Sequence, residues 1–285
     1  MSARFGSWQL RRSLFHHAVL LAGAFVVLFP VWVAFVASTI ALPEIRSVPM
    51  PLLPGNQALD TYSAVLTSGG GSLSQQAPVW KMLVNSLAMA LAIAIGKIVI
   101  SILSAFAIVY FRFPLRPLFF WLIFATLMLP VEVRILPTFE VVAGLGLLDS
   151  YGGLILPLLA SATATFLFRQ FFLTVPKELV EAARMDGAGP LRFFRDILLP
   201  LSATNIAALF VVLFIYGWNQ YLWPLLVTKE LETIVVGVYR LLAVGDDSVD
   251  WPSVMATAML ALAPPTLVVL LMQRWFVKGL VDSDK

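Results

Sequence analysis

The sequence predicts an all-α, polytopic membrane protein with six transmembrane helices, and two observations predict it. Of its 285 residues 60% are hydrophobic and only 12% carry a charge, against roughly 25% charged in an ordinary soluble domain. A soluble fold of this size has too little interior to hide so much apolar surface, so a bilayer must supply the apolar solvent. The second observation is six apolar segments, each long enough for the roughly 20 helical residues that cross about 30 Å of hydrocarbon. They are Leu14–Thr39, Met82–Tyr110, Leu118–Val142, Tyr151–Leu173, Leu201–Val227 and Val254–Val277.

Taken in order, residues 1–13 form a short tail ending near Arg11-Arg12. The apolar core behind it exceeds the 7–15 residues of a signal-peptide core, so it reads as an uncleaved anchor. His16 and His17 precede that core and suit an interfacial position. Residues 14–277 make one membrane domain and 278–285 a second tail. Ile40–Lys81 is rich in Pro, Gly and Ser, with a Gly69-Gly70-Gly71 run, and reads as an extended loop with one short helix. Thr228–Ser253, carrying Asp246, Asp247 and Asp250, reads the same way.

Basic residues fall unequally outside the apolar segments. Thirteen lie on the side of the tails, the Phe111–Pro117 turn and the 169–195 stretch; five (Arg46, Lys81, Lys229, Arg240 and, if it is counted there, Arg134) lie on the other. The positive-inside rule then places both termini and the 176–200 loop in the cytoplasm. The same bias accounts for the net charge of +3 and the pI near 9.3 without nucleic acid. With no cysteine, thiolate metal sites, disulfides and a cysteine nucleophile are excluded. No metal site is expected.

The most distinctive stretch is a charged island between the fourth and fifth segments. Pro176 and the early acids Glu178 and Glu181 suit a helix N-terminus. Ala182 and Ala183 allow close approach of another surface. Asp186 and Gly187 follow, and Gly187 permits a bend or C-cap. A second short helix, Pro190–Asp196, leads through Ile197 and Leu199 to Pro200. The expected product is a helix–Gly–helix elbow.

Glu-Ala-Ala-x3-Gly-x9-Ile-x-Leu-Pro, spanning Glu181 to Pro200, resembles the signature loop of permease subunits of bacterial ATP-binding-cassette (ABC) importers. The resemblance implies a type I ABC importer permease fold, in which Glu181, Ala182, Ala183, Asp186, Gly187, Ile197, Leu199 and Pro200 seat in a cleft of an ATPase subunit. Met128-Leu129-Pro130, Leu147–Tyr151 and Trp218–Pro224 look like the carbohydrate-uptake permeases of the maltose-importer G-subunit type. Ser104–Ile108, Phe111–Arg116, Leu129–Arg134, Ser161–Phe172 and Gly279–Ser283 are similar to the E-type permease subunits of sn-glycerol-3-phosphate importers.

That resemblance implies import of sn-glycerol 3-phosphate, with related glycerophosphodiesters also considered, across a bacterial inner membrane. It also implies a second permease subunit, two cassette ATPase subunits and an external substrate-binding protein. No Gly-x4-Gly-Lys-Ser/Thr phosphate loop is present; Gly96-Lys97 is followed by Ile98 inside an apolar segment. ATP and Mg are therefore expected on the partner ATPase, with no cofactor on this chain and no catalysis by it. Alternatives are a sugar or polyol importer subunit, an ion-coupled secondary carrier (which predicts inverted repeats, none visible) and an intramembrane enzyme, whose paired acids or Ser/His set is missing from the spans.

Lys97, Glu132 and Arg134 fall at membrane depth, where charges face a cavity or a partner. Two readings stand. Lys97 and Arg134 contact a phosphate, Arg by a bidentate fork; or Glu132 and Arg134 satisfy each other or a neighbouring subunit while Lys97 snorkels. An i, i+2 pair does not share a helix face, although Pro130 and Pro137 bracket it. Trp218, Asn219 and Gln220 line a pathway or pack helices together. Trp223-Pro224 is expected at the external interface, where Trp is enriched.

Overall fold

The computed structural model describes residues 2–69, 77–126, 131–243 and 249–281, with side chains for 13–69, 77–126, 133–243 and 249–275. All regular structure among these is helical. In chain order the helices are α1 (Ser2–Ala37), α2 (Leu42–Ile45), α3 (Ala58–Ser68), α4 (Val79–Tyr110), α5 (Arg116–Ala125), α6 (Val131–Gly144), α7 (Tyr151–Ile155) and α8 (Ala162–Thr174). They continue as α9 (Lys177–Met185), α10 (Pro190–Phe193), α11 (Leu199–Leu201), α12 (Ala203–Trp218), α13 (Leu222–Val227), α14 (Ile234–Leu242) and α15 (Trp251–Val281).

Three of these are long and apolar enough to cross a bilayer: Ser13–Ala37 within α1, α4, and Trp251–Trp275 within α15. Two bent pairs raise the number to five, Tyr151–Leu158 with α8 at 46° and Pro190–Leu201 with α12 at 70°. The expected third span, Leu118–Val142, is not one helix among the described residues. Its described parts are α5, of 10 residues, and α6, of 14, and residues 127–130 lie outside the described residues. The Ile40–Lys81 segment holds two helices, α2 and α3, where one was expected.

The chain divides into two compact units. In the first (Met1–Val79 with Val238–Leu262), polar contacts fold the α2–α3 segment onto the end of α1. Trp32 Nε1 donates to the Leu52 carbonyl at 3.1 Å, the Gly55 amide donates to Thr39 Oγ1 at 2.9 Å, and the Ser38 and Tyr62 hydroxyls meet at 3.0 Å. A Cβ at Gly55 would stand 2.6 Å from the Thr39 carbonyl oxygen, so only glycine fits.

In the second unit (Trp80–Gly237 with Ala263–Lys285), α4 is the central post. Lipid is as apolar as leucine, so helices associate through close packing and hydrogen bonds rather than burial from water. Gly217 of α12 lies so near α4 that a Cβ there would sit 2.9 Å from Ala90 Cα. Asn85 receives the Tyr151 hydroxyl at 2.6 Å and donates to the Glu232 carbonyl at 3.0 Å, while Ser86 Oγ accepts the Ile234 amide at 2.8 Å. Met89, Ile93, Val142, Leu154, Trp223 and Val227 form the apolar core.

Trp223 packs into this core. It is 5% exposed, and its indole N–H donates to the Gly153 carbonyl at 3.1 Å. The turn between α12 and α13 swings the ring inward, where its one donor finds a buried acceptor.

Candidate functional site

The island folds as the expected elbow. Helix α9 begins after Pro176 and carries two faces. Ala183 is 5% exposed and faces inward beside the half-buried Val180, while Glu178, Glu181, Ala182 and Met185 are exposed. Spacings of three and four residues generate that division. The helix closes by donating the Ala188 amide to the Ala183 carbonyl (2.8 Å) and the Gly187 amide to the Arg184 carbonyl (3.0 Å). This pair of bonds is a Schellman cap, with Gly187 in the left-handed region at φ +71°.

The expected second helix, Pro190–Asp196, is only partly α-helical. The four residues of α10 pass into a π-helical turn over Phe194–Leu198, which contains Ile197, and then into α11. Pro200 has no N–H to close an α-turn onto the preceding residues, and the ladder widens there. Asp196 is held by Arg195 at 2.7 Å and Arg192 at 3.6 Å. Hydrogen bonding from the Arg195 guanidinium keeps the Asp196 carboxyl below its usual range.

Aromatic contacts bolt the elbow to the end of α4. Tyr110 meets Phe193 edge-on at 5.3 Å, Phe106 meets Phe194 at 4.9 Å, and the Tyr110 hydroxyl donates to the Phe172 carbonyl at 3.3 Å. Between them lies a cavity of about 120 Å³ bounded by Phe106, Tyr110, Phe111, Val180, Ala183 and Phe193 among others.

Nine residues before Phe106 on α4, about 14 Å at 1.5 Å per residue, sits Lys97. It is 6% exposed, and its ammonium lies 3.8 Å from the centre of the Tyr216 ring on α12. Arg134 of α6 is exposed. Among the described residues no carboxylate pairs with Lys97. The Glu132 side chain lies outside the described residues, as do Met128-Leu129-Pro130 and the Asp246-Asp247 pair.

The predicted fifth span breaks at the polar residues. Helix α12 ends at Trp218 with Asn219 as its C-cap. Asn219 is exposed, and Gln220 donates its amide to the Tyr216 carbonyl at 3.1 Å. Trp218 is 3% exposed, with its ring stacked on Phe214 at 5.9 Å, so it packs behind this break.

Residues 97–282 match the family model for the inner-membrane component of binding-protein-dependent transport systems. The chain belongs to this family. Permease-family relatives named sn-glycerol-3-phosphate transport system permease protein UgpE, from Rhizobium meliloti (strain 1021) and Escherichia coli O1:K1 / APEC, are 61% and 59% identical to it. Each match covers 96% of this chain and 97% of the relative. The fold is shared with the crystal structure of a bacterial ABC transporter involved in the import of the acidic polysaccharide alginate, at a TM-score of 0.77 and 22% identity. That match covers 93% of this chain and 97% of the other.

Two features of this family member were not legible as site geometry in sequence. Met185 and Leu191 are 83% and 76% exposed on the elbow; counting three residues on from Ala182 would have found the first. Asp149, in the Leu147–Tyr151 segment, accepts the amides of Leu231, Lys229 and Glu230, each at 3.0 Å. The Leu231 amide first, then the other two, depress its carboxyl below the ordinary range. Its own backbone is left-handed at φ +52°, which Asp tolerates better than most residues.

Proposed function

We propose that this chain forms half of the translocation pathway of an ABC importer for sn-glycerol 3-phosphate, driven through the elbow by partner ATPase subunits. The cargo assignment draws on relatives of 59–61% identity whose names state that transport system. The observation that carries it on this chain is the buried Lys97 ammonium, which has no carboxylate partner among the described residues. A buried cation without a carboxylate partner calls for an anion, and Arg134 is assigned with it as a second donor. A phosphomonoester, with three acceptor oxygens, satisfies both. The exposed Asn219 and the adjacent Gln220 at the α12–α13 break then supply hydrogen bonds to hydroxyls, with Trp218 packed behind them. Broken helices recur at substrate sites in membrane transporters because their ends leave polar backbone groups free.

Coupling is assigned to Glu181, Ala182, Ala183, Asp186, Gly187, Ile197, Leu199 and Pro200. The exposed apolar Met185 and Leu191 on the elbow support it, since neither is covered within this chain. ATP and Mg belong to the ATPase partners. A second permease subunit completes the pathway, and an external binding protein delivers the ligand. With six crossings and cytoplasmic termini, the elbow faces the ATPases. ATPase closure pushes on α9, and the Phe106–Tyr110–Phe193–Phe194 contacts carry the motion along α4 to Lys97. This adds the second span to the fifth as a route of transmission.

The test is uptake of labelled glycerol 3-phosphate by the complete importer in proteoliposomes, with maltose as control. Wild type should take up the first alone. A hydrogen bond to a charged group contributes about 1.5–3 kcal/mol, so Lys97→Met and Arg134→Gln should each raise the half-saturating concentration roughly 10- to 100-fold. Unchanged affinity in both variants would remove the phosphate role, and maltose uptake would replace the cargo.

A further inference from the structure

A second cavity, of about 210 Å³, opens where the ends of α4, α5 and α8 meet. Its polar groups are the guanidinium-bearing residues Arg116 and Arg169, and its walls are apolar: Ile108, Phe120, Trp121 and Leu173 among them. The guanidinium of Arg169 lies 4.2 Å from the centre of the Phe120 ring, and its Nε is buried without a hydrogen-bond partner. Among the described residues neither arginine has a carboxylate within ion-pair distance. Arg116 adds a further mismatch. It opens α5, whose first turn has no acid, so a cation sits at the positive end of a helix dipole.

The location narrows the ligand. Helix α8 ends at Thr174, three residues before the elbow begins, and on the proposed six-crossing reading the cavity lies at the membrane boundary from which the elbow emerges. Around it Trp121, Leu118, Leu122 and Leu173 expose half or more of their surface, as lipid-facing side chains do. Exposed Trp beside Arg is typical of the headgroup level.

We propose that this cavity binds the phosphodiester headgroup of an anionic phospholipid, with Arg116 and Arg169 as its donors. The volume is several times the roughly 30 Å³ that one water occupies in the liquid, so a headgroup oxygen cluster fits. Two forked donors match phosphate geometry, and basic pockets between membrane helices hold acidic lipids by this chemistry. The apolar walls continue into the exposed Leu and Trp side chains that would accompany the acyl chains. A free phosphate ion satisfies the arginines but leaves those walls without an occupant.

The experiment is native mass spectrometry of the complete importer purified from membranes, then delipidated and titrated with phosphatidylglycerol. Phosphatidylcholine and inorganic phosphate form separate arms. Wild type should retain more phosphatidylglycerol per complex than Arg116→Gln/Arg169→Gln, by one molecule per copy of this subunit. Phosphatidylcholine should not substitute, and millimolar inorganic phosphate should not displace it. Arg169→Lys, which keeps the charge but not the fork, should bind more weakly yet measurably. If the double variant fails to assemble, Arg116→Gln alone serves, with an expected affinity loss of at least fivefold. Equal lipid retention in wild type and variants, or displacement by inorganic phosphate, overturns the proposal. So does loss of subunit assembly with lipid retention unchanged, because the arginines would then be serving a protein interface.

Discussion

Gly187 offers a clean perturbation of the elbow because sterics and backbone conformation separate there. A Cβ built on it meets no atom within 4 Å, so an added methyl clashes with nothing. Its φ of +71° lies in the left-handed region, where an L-residue costs about 1–2 kcal/mol. That energy opposes the two cap bonds from Gly187 and Ala188 to Arg184 and Ala183. A shift of 1–2 kcal/mol changes the ratio of capped to frayed elbow by about 5- to 30-fold. Asn tolerates left-handed backbone better than Ala, and a β-branched residue tolerates it least. Transport per ATP hydrolysed, measured in proteoliposomes, should therefore fall in the order wild type, Gly187→Asn, Gly187→Ala, Gly187→Val. Substrate affinity should stay constant, since the elbow does not touch Lys97. Equal coupling ratios across the series would refute the reasoning. So would a Gly187→Ala that behaves worse than Gly187→Val, since backbone strain predicts the reverse.

Four other outcomes are expected. Gly217→Ala should destabilise the α4–α12 contact by about 1–3 kcal/mol, because its Cβ would stand 2.9 Å from Ala90 Cα; thermal unfolding of the purified complex reads it. Tyr110→Leu removes the edge-on contact with Phe193 and the hydroxyl donor to Phe172. It should lose about 0.5–1.5 kcal/mol of coupling contact, seen as ATPase activity that exceeds transport while binding persists. Trp223→Phe leaves the Gly153 carbonyl without its donor and should cost about 1–3 kcal/mol, again by thermal unfolding. Asp149 has a depressed carboxyl pKa, so its contribution is present above the unfolded value near 3.9 and fades as pH falls through the lower folded value. Stability should thus be insensitive to this group between about pH 5 and 8. Asp149→Ala should weaken the 229–231 turn by about 1 kcal/mol, solvent screening included, whereas Asp149→Asn, which keeps an acceptor and tolerates φ +52°, should be milder.

Much of the architecture was legible because the bilayer imposes a length and a composition on every crossing. Helices α1, α4 and α15 follow directly from uninterrupted apolar runs. The elbow was legible from a different kind of signal, Pro176 at its start and Gly187 at its turn, each with one conformational meaning. Other elements were less readable. Hydropathy does not register a break inside an apolar stretch, so the α12–α13 division looked like a continuous span. Trp223 looked interfacial by residue type, because its inward turn depends on the break after Trp218 and on a carbonyl 70 residues away.

By itself, the order of residues determined that this protein lives in a membrane, is helical, and carries a stiff elbow between its fourth and fifth apolar segments. Those properties depend on local composition, period and backbone restriction, which a linear chain contains. Only the tertiary structure decided that Phe106 and Tyr110 clamp the elbow, that Lys97 lies over Tyr216, and that Arg169 leaves a buried nitrogen unpaired above Phe120. These are meetings of side chains far apart in sequence. Their energies depend on distance and burial, and those quantities exist once the helices have packed.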